Sequence, residues 1–167
     1  MTIQILANIA KSEAQRSFHG AVMEMESNLG PIVALFPKFT LAEADGMWCA
    51  AFVYYCCLKA GFIIPTKPSE CTASLAGCRQ WEEWGLGDTR IAYHKAPNFE
   101  PEAGDIVLYD NVFVGGEHDH IGIVVENKIA SIVVAEGNVN NISGVVERKK
   151  DSHIRAYIRI PDNFVYY

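Results

Sequence analysis

Apolar positions recur every three or four residues in three stretches of the first half of the chain and alternate in the second half. In the first stretch Ala10, Ala14, Phe18, Val22 and Met25 mark one face among Lys11, Glu13, Glu24 and Glu26. That spacing predicts an amphipathic helix over 7–28. Asn28-Leu29-Gly30-Pro31 closes it, with a glycine able to cap the end and a proline unable to extend it. A second helix opens at Cys49, carries Phe52, Val53, Cys56, Cys57 and Ala60 along its apolar stripe, and ends at Gly61. A third is predicted over 69–84, with Ser69 as N-cap, Cys71, Leu75 and Cys78 on one face, and Gly85 past its end.

After Pro97 the period changes to two. Strands are predicted at 105–109, 120–126, 130–136, 145–148 and 154–160. In the last of these Ile154, Ala156, Ile158 and Ile160 lie on one face and Arg155, Tyr157 and Arg159 on the other. Helices first and a small, meandering antiparallel sheet afterwards define an α+β fold. No repeat, linker or low-complexity tract divides the chain, so residues 1–167 read as a single domain.

Half of the residues are hydrophobic and a fifth are charged, the balance of a chain with a packed core. No apolar run approaches the ~18–20 residues of a membrane span. The opening segment, Met1 to Ala7, has no basic region, and Lys11, Glu13 and Arg16 soon interrupt its apolar character. It does not read as a signal peptide, and synthesis in the cytoplasm is expected, with export, if any, by another route. The net charge of −6 and the lack of a basic run longer than Arg148-Lys149-Lys150 exclude nucleic acid as a partner.

Five cysteines, Cys49, Cys56, Cys57, Cys71 and Cys78, are an odd number with two adjacent members, which argues against a disulfide framework. None forms the CxxC pair of a structural zinc site. Four of them read as small buried hydrophobes. Cys49 differs: it follows a turn-like Asp45-Gly46-Met47-Trp48 and starts an apolar helix. The positive end of a helix and its unpaired N–H groups stabilise a thiolate, the form that acts as a nucleophile.

A thiol nucleophile needs a base in hydrogen-bond reach. Of the histidines, His19 and His153 read as surface residues, His94 lies in a loop-like stretch and is not excluded by spacing, and His120 heads the otherwise apolar strand Ile121-Gly122-Ile123-Val124-Val125. A hairpin turning about Lys128 sets His120 directly opposite Glu136, with Cβ atoms ~5 Å apart, and a one-residue slip would turn the carboxylate away. Asn138 follows two residues later and points the same way. His118, Asp119 and His120 also admit a metal-site reading, but two histidines with no further ligand cluster are incomplete, so no metal or cofactor is expected.

Trp48-Cys49-Ala50-Ala51-Phe52-Val53 resembles the nucleophile motif of CHAP-domain amidases and peptidases, relatives of the NlpC-type cysteine peptidases. Gly104-Asp105-Ile106-Val107, His120-Ile121-Gly122-Ile123-Val124 and Glu136-Gly137-Asn138 follow in the order of that family. The resemblance covers residues 45–160 and leaves 1–44 and much of 66–100 outside it. It implies a papain-like fold, Cys49 as nucleophile, His120 as base and then acid, and Glu136 as the orienting group with Asn138 as helper or substitute. It also implies peptidoglycan as substrate, cut through an acyl-enzyme by an N-acetylmuramoyl-L-alanine amidase or an endopeptidase, and delivery or release toward the cell wall. Glu43 and Asp45 are too few for the calcium site that some members carry. Trp81, Trp84 and Tyr93 read as packing residues rather than as a substrate groove. A thiol acyltransferase of transglutaminase type and a non-catalytic wall-binding module are the rival readings.

Overall fold

A computed structural model of the chain describes residues 2–113 and 115–167; Met1, the first residue of the segment read above for a leader, and Val114 lie outside the described residues. Among the described residues five helices precede six strands: α1 (Thr2–Ala14), α2 (Gly30–Val33), α3 (Leu41–Ala44), α4 (Cys49–Lys59) and α5 (Cys78–Gly87), then β1 (Ala92–Lys95), β2 (Ile106–Tyr109), β3 (His120–Asn127), β4 (Ser131–Val139), β5 (Ile142–Lys149) and β6 (Ile154–Arg159). The strands form one antiparallel sheet in the order β1-β6-β2-β3-β4-β5. Strands β2 to β5 meander as expected, and β6 returns to lie between β1 and β2. The fold is α+β.

One face of the sheet presents Ile106, Leu108, Ile121, Ile123, Ala135 and Ile158 to α1 and α4, in the same core as Leu6, Ala10 and Phe18 from the N-terminal segment. The other face carries a smaller cluster of Val107, Tyr109, Val124, Ile132, Val134 and Tyr157. Helix α4 is buried along Cys49 to Cys57, so its apolar surface is not a stripe but nearly the whole helix, the pattern of a helix enclosed by its neighbours.

Three local expectations fail for tertiary reasons. Helix α1 ends at Ala14, and Phe18, though buried on the helical spacing, lies in extended chain whose carbonyl accepts from Ser143 N at 2.8 Å, while Gly20 N donates to Asn141 O at 2.9 Å. Pairing with the β4–β5 hairpin overrides the weak helical preference of 17–28. Gly30-Pro31 begins a helix instead of ending one, with proline in the first turn of α2, where its missing N–H costs nothing. Helix α5 starts only at Cys78, on an extended Gly77 cap, and Gly85 lies inside it. Ser69 does not cap a helix; its N–H and hydroxyl meet the Tyr166 hydroxyl. Strand β1, absent from the sequence reading, is a four-residue edge held by β6.

The hairpin register also differs. Ile123 pairs with Ala135 and Val124 with Val134, and a bulge follows between Val124 and Glu126. Continuing that register sets Glu136 opposite Gly122, two residues from the expected His120. A two-residue shift leaves every side chain on its face, so the carboxylate still reaches the imidazole on the diagonal.

Candidate active site

Two clamps set the position of Cys49. The first holds the Asp45-Gly46-Met47-Trp48 lead-in against the β4–β5 turn. Asn141 Oδ1 accepts from Gly46 N at 3.0 Å and from Trp48 Nε1 at 2.9 Å, and its Nδ2 donates to Asp45 Oδ1 at 2.6 Å. Asn138 Nδ2 donates to Gly46 O at 2.8 Å. Asn140 and Asn141, the two residues between β4 and β5, both have positive φ, 52° and 67°, as two-residue hairpin turns of the primed types require. The second clamp is close packing of α4 on β4. A Cβ at Gly137 would lie 2.6 Å from Phe52 Cβ and 2.8 Å from the Trp48 ring, so only glycine lets the start of the helix approach this strand.

The helix begins at Cys49 itself, and its N-cap residue, Trp48, makes no side-chain cap. The first N–H groups are therefore left to polarise whatever sits at that end. The thiol is buried, and its Sγ lies 3.5 Å from Cys78 Sγ. The Cys78 contact, then the nearness and charge of His120 and the Ala50 N–H, outweigh burial and bring Cys49 down to about 5. Cys56 and Cys57, farther along the same helix, are wholly buried and are pushed up by desolvation. Cys71 is raised to about 11, mainly by burial. Position, not residue type, separates Cys49 from these three.

His120 is completely buried. Its Nε2 meets Glu136 Oε1 at 2.8 Å, and its Nδ1 makes no hydrogen bond among the described residues, which leaves that nitrogen for the sulfur. Tyr109 stacks on the ring at 5.6 Å and Phe113 meets it edge-on at 4.7 Å, so packing fixes the ring plane. Burial alone would lower this histidine, but Cys49 and Glu136 together lift it to about 9. Between those two values the favoured state is a thiolate beside an imidazolium.

Glu136 is fully buried as well, and burial alone would favour its neutral form. His120 and Arg148 reverse that balance and hold it below the usual carboxylate range. Arg148 grips both oxygens, with Nη2 at 2.6 Å from Oε1 and Nε at 3.0 Å from Oε2. Its guanidinium also lies over the Tyr109 and Phe113 rings at 5.5 and 5.6 Å. Gly122 leaves the room this carboxylate needs: a Cβ there would lie 2.8 Å from Glu136 Cγ and run into Val134. A paired, desolvated charge of this kind costs little only while every partner is present.

The CHAP-domain family model matches residues 42–138, more than half of the chain. The chain belongs to the CHAP-domain family. CHAP domains are in general hydrolases that act on peptidoglycan. No curated protein matches this chain. The matched span holds α4 and the strands that carry His120 and Glu136; Arg148 and Asn141 lie beyond it.

Within this CHAP domain the structure brings Cys49, His120 and Glu136 together and places Asn138 elsewhere, with its amide on the lead-in loop and not on the imidazole. Glu136, not Asn138, is thus the group on His120 Nε2. His94 stacks on Phe99 at 4.1 Å, and the Nδ1 atoms of His19 and His153 meet the carbonyls of Gly20 and Asp110. His118 and His120 do not converge on a common point: the first is bonded to Glu82 and the second to Glu136. Asp45, weighed above against calcium binding, accepts from Ala21 N and Asn141. Trp81 and Trp84 are fully buried, donating to Leu75 O and Asp88, and Tyr93 donates to Glu82 at 2.6 Å. Sequence reasoning missed Cys78, Arg148 and Asn141. For Arg148 a signal existed: it shares a parity with Gly144 and Val146, which oppose Glu136 and Val134.

Proposed function

We propose that this CHAP domain is a cysteine amidase or endopeptidase that cuts peptidoglycan amides through an acyl-enzyme. Cys49 is the nucleophile, His120 the base and acid, and Glu136 the group that orients His120. The observation that carries the reading is the Cys49 thiol at the uncapped start of α4 together with a buried His120 ring held through Nε2 by Glu136 and with Nδ1 unbonded among the described residues. A helix N-terminus set against a sheet strand that supplies the histidine is the papain-like layout the sequence implies.

The Cys49 thiolate attacks the amide carbonyl. The oxyanion develops beside the first N–H groups of α4, that of Cys49 among them, where no side chain competes for them. His120 then gives its Nδ1 proton to the leaving amine. The neutral ring next takes a proton from water, whose oxygen attacks the thioester. The C–S bond breaks, Cys49 leaves as a thiolate beside the recharged imidazolium, and the acid product gives its proton to solvent. Throughout, Glu136 accepts from Nε2–H, which keeps Nδ1 facing the sulfur and favours the charged ring.

Digestion of purified peptidoglycan, with mass spectrometry of the released fragments, tests the proposal and separates its two forms. An amidase frees intact stem peptides from the glycan; an endopeptidase opens bonds within the stem or cross-bridge. Cys49→Ala is expected to release neither. Fragments released equally by Cys49→Ala would overturn the assignment.

A further inference from the structure

Of the five thiols in this small domain, those of Cys49 and Cys78 meet sulfur to sulfur at 3.5 Å. They come from different helices, 29 residues apart, and each is the first residue of its helix. The start of α5 also lacks a side-chain cap, so both sulfurs sit at the positive end of a helix dipole. Cys56 and Cys57 are wholly enclosed, and Cys71 donates to Gln80 O at 3.3 Å. Cys78 is only half-buried and lines a groove of about 600 Å³ with Gly77, Arg79, Glu82, His118 and Arg155. A small solute therefore reaches Cys78 from solvent, and Cys49, 8% exposed, lies directly behind it.

We infer that Cys49 and Cys78 are a redox modification site, in which Cys78 resolves an oxidised Cys49 as a reversible disulfide and so switches the nucleophile off. The oxidant is a hydroperoxide. The Cys49 thiolate attacks one peroxide oxygen, the O–O bond breaks, and the departing hydroxide takes a proton from the His120 imidazolium and leaves as water. Sulfur loses two electrons and becomes a sulfenic acid, while the peroxide gains them. Cys78 then passes its proton to the neutral His120 ring and its sulfur attacks the Cys49 sulfur. The S–S bond forms, the S–O bond breaks, and the leaving hydroxide recovers the proton as a second water.

The electrostatics run in the same direction as the geometry. The Cys78 thiol is raised first by its hydrogen bond to Cys49, then by burial, so it stays protonated while Cys49 is a thiolate. Oxidation makes Cys49 neutral and removes that restraint when Cys78 must ionise. The sulfurs need to close from contact to the ~2.05 Å of a disulfide, and two abutting helix ends require a small shift for that, not a refolding.

The consequence for activity rests on Cys49 being the nucleophile, but the bond itself does not, and the experiment reads the two separately. The whole chain is treated with hydrogen peroxide, quenched with iodoacetamide and mapped by peptide mass spectrometry without reduction. The expected result is a linked Cys49–Cys78 peptide pair, loss of alkylation at both positions, and return of both after dithiothreitol. In Cys78→Ser and Cys78→Ala, each checked for native circular dichroism, Cys49 is expected to pass to sulfinic acid, which dithiothreitol does not reverse. Sulfinic acid at Cys49 of the unsubstituted protein with no linked peptide overturns the inference, as does a disulfide between any other pair. If the linked pair forms in a protein that never cuts peptidoglycan, the proposed function fails and the modification site stands.

Discussion

The molecule builds the same side-chain arrangement twice, on histidines two residues apart in sequence. His120 Nε2 meets Glu136 Oε1 at 2.8 Å, and His118 Nε2 meets Glu82 Oε1 at 2.7 Å. In both, an arginine Nε binds the second carboxylate oxygen: Arg148 on Glu136 at 3.0 Å and Arg155 on Glu82 at 2.7 Å. Two things differ. The first pair is sealed from solvent, with both side chains 0% exposed, whereas the second retains 12% and 11%. And His120 acts on the lowered Cys49 thiol, whereas Cys78, the thiol that shares a groove with His118, is held protonated. An oriented histidine is thus not in itself a catalytic group in this fold. The second set ties the loop before β3 to α5 and β6, since Arg155 also binds Asp110 at 3.1 Å and Asp110 accepts from His118 N. The sulfur decides which of the two does chemistry.

The largest effect that bears on this contrast comes from the sulfur. Cys49→Ala is expected to abolish turnover while changing stability by no more than about 1 kcal/mol, because alanine suits a helix start and the thiol is small. Cys57→Ala on the same helix is expected to do the reverse, costing about 1–2 kcal/mol in a denaturant titration with turnover kept. Substituting the carboxylates breaks the symmetry next. Glu136→Gln is expected to lower kcat by about 10²–10⁴-fold, since an amide no longer holds the charged ring. Glu82→Gln should lower the melting temperature and leave kcat within about tenfold. Equal losses of kcat in the two variants would mean that the structural distinction drawn between them is wrong.

Smaller effects sharpen the contrast through backbone space. Gly122→Ala forces a methyl group against Glu136 and Val134, and overpacking of this kind costs about 1–3 kcal/mol; a fall in kcat larger than that in melting temperature would trace to the displaced carboxylate. The mildest effect is on pH. Burial, the largest single influence on Glu82, raises its pKa, but Arg155, Tyr93 and His118 together bring it down from the ordinary 4.5 to about 2. A carboxylate depressed in the folded state stabilises the protein above its unfolded value and loses that contribution as pH falls through the folded one. The stability deficit of Glu82→Gln is therefore expected to be full above pH 5 and to close between about 4.5 and 2.

The candidate site was more legible in the sequence than the fold around it. Cys49 announced itself by its place after a turn and before an apolar run, and His120 by heading a buried strand, because both signals are local. Glu136 was found through a register two residues out, and survived because a shift of two keeps the face. The Val124/Glu126 bulge behind that shift is a property of the twisted hairpin. The helix expected over 17–28 failed where residues 18–20 paired with β5 and the β4–β5 turn, more than a hundred positions away. Cys78 looked like one more core thiol, since only the packing of α5 beside α4 sets it against Cys49. Asn141 depends in the same way on contacts that no local pattern reveals, and the parity of Arg148 with Gly144 and Val146 gains meaning only once β4 and β5 are paired.

The account stands or falls on the charge state of one sulfur, which alkylation reads without any substrate. The rate of iodoacetamide modification at Cys49, followed by mass spectrometry across pH, is expected to rise through about 5 to a plateau and change again near 9, where His120 loses its proton. Cys56 and Cys57 should remain unmodified throughout. A Cys49 rate that climbs only above about 8, like that of an ordinary thiol, would contradict the thiolate–imidazolium pair and the catalytic role built on it.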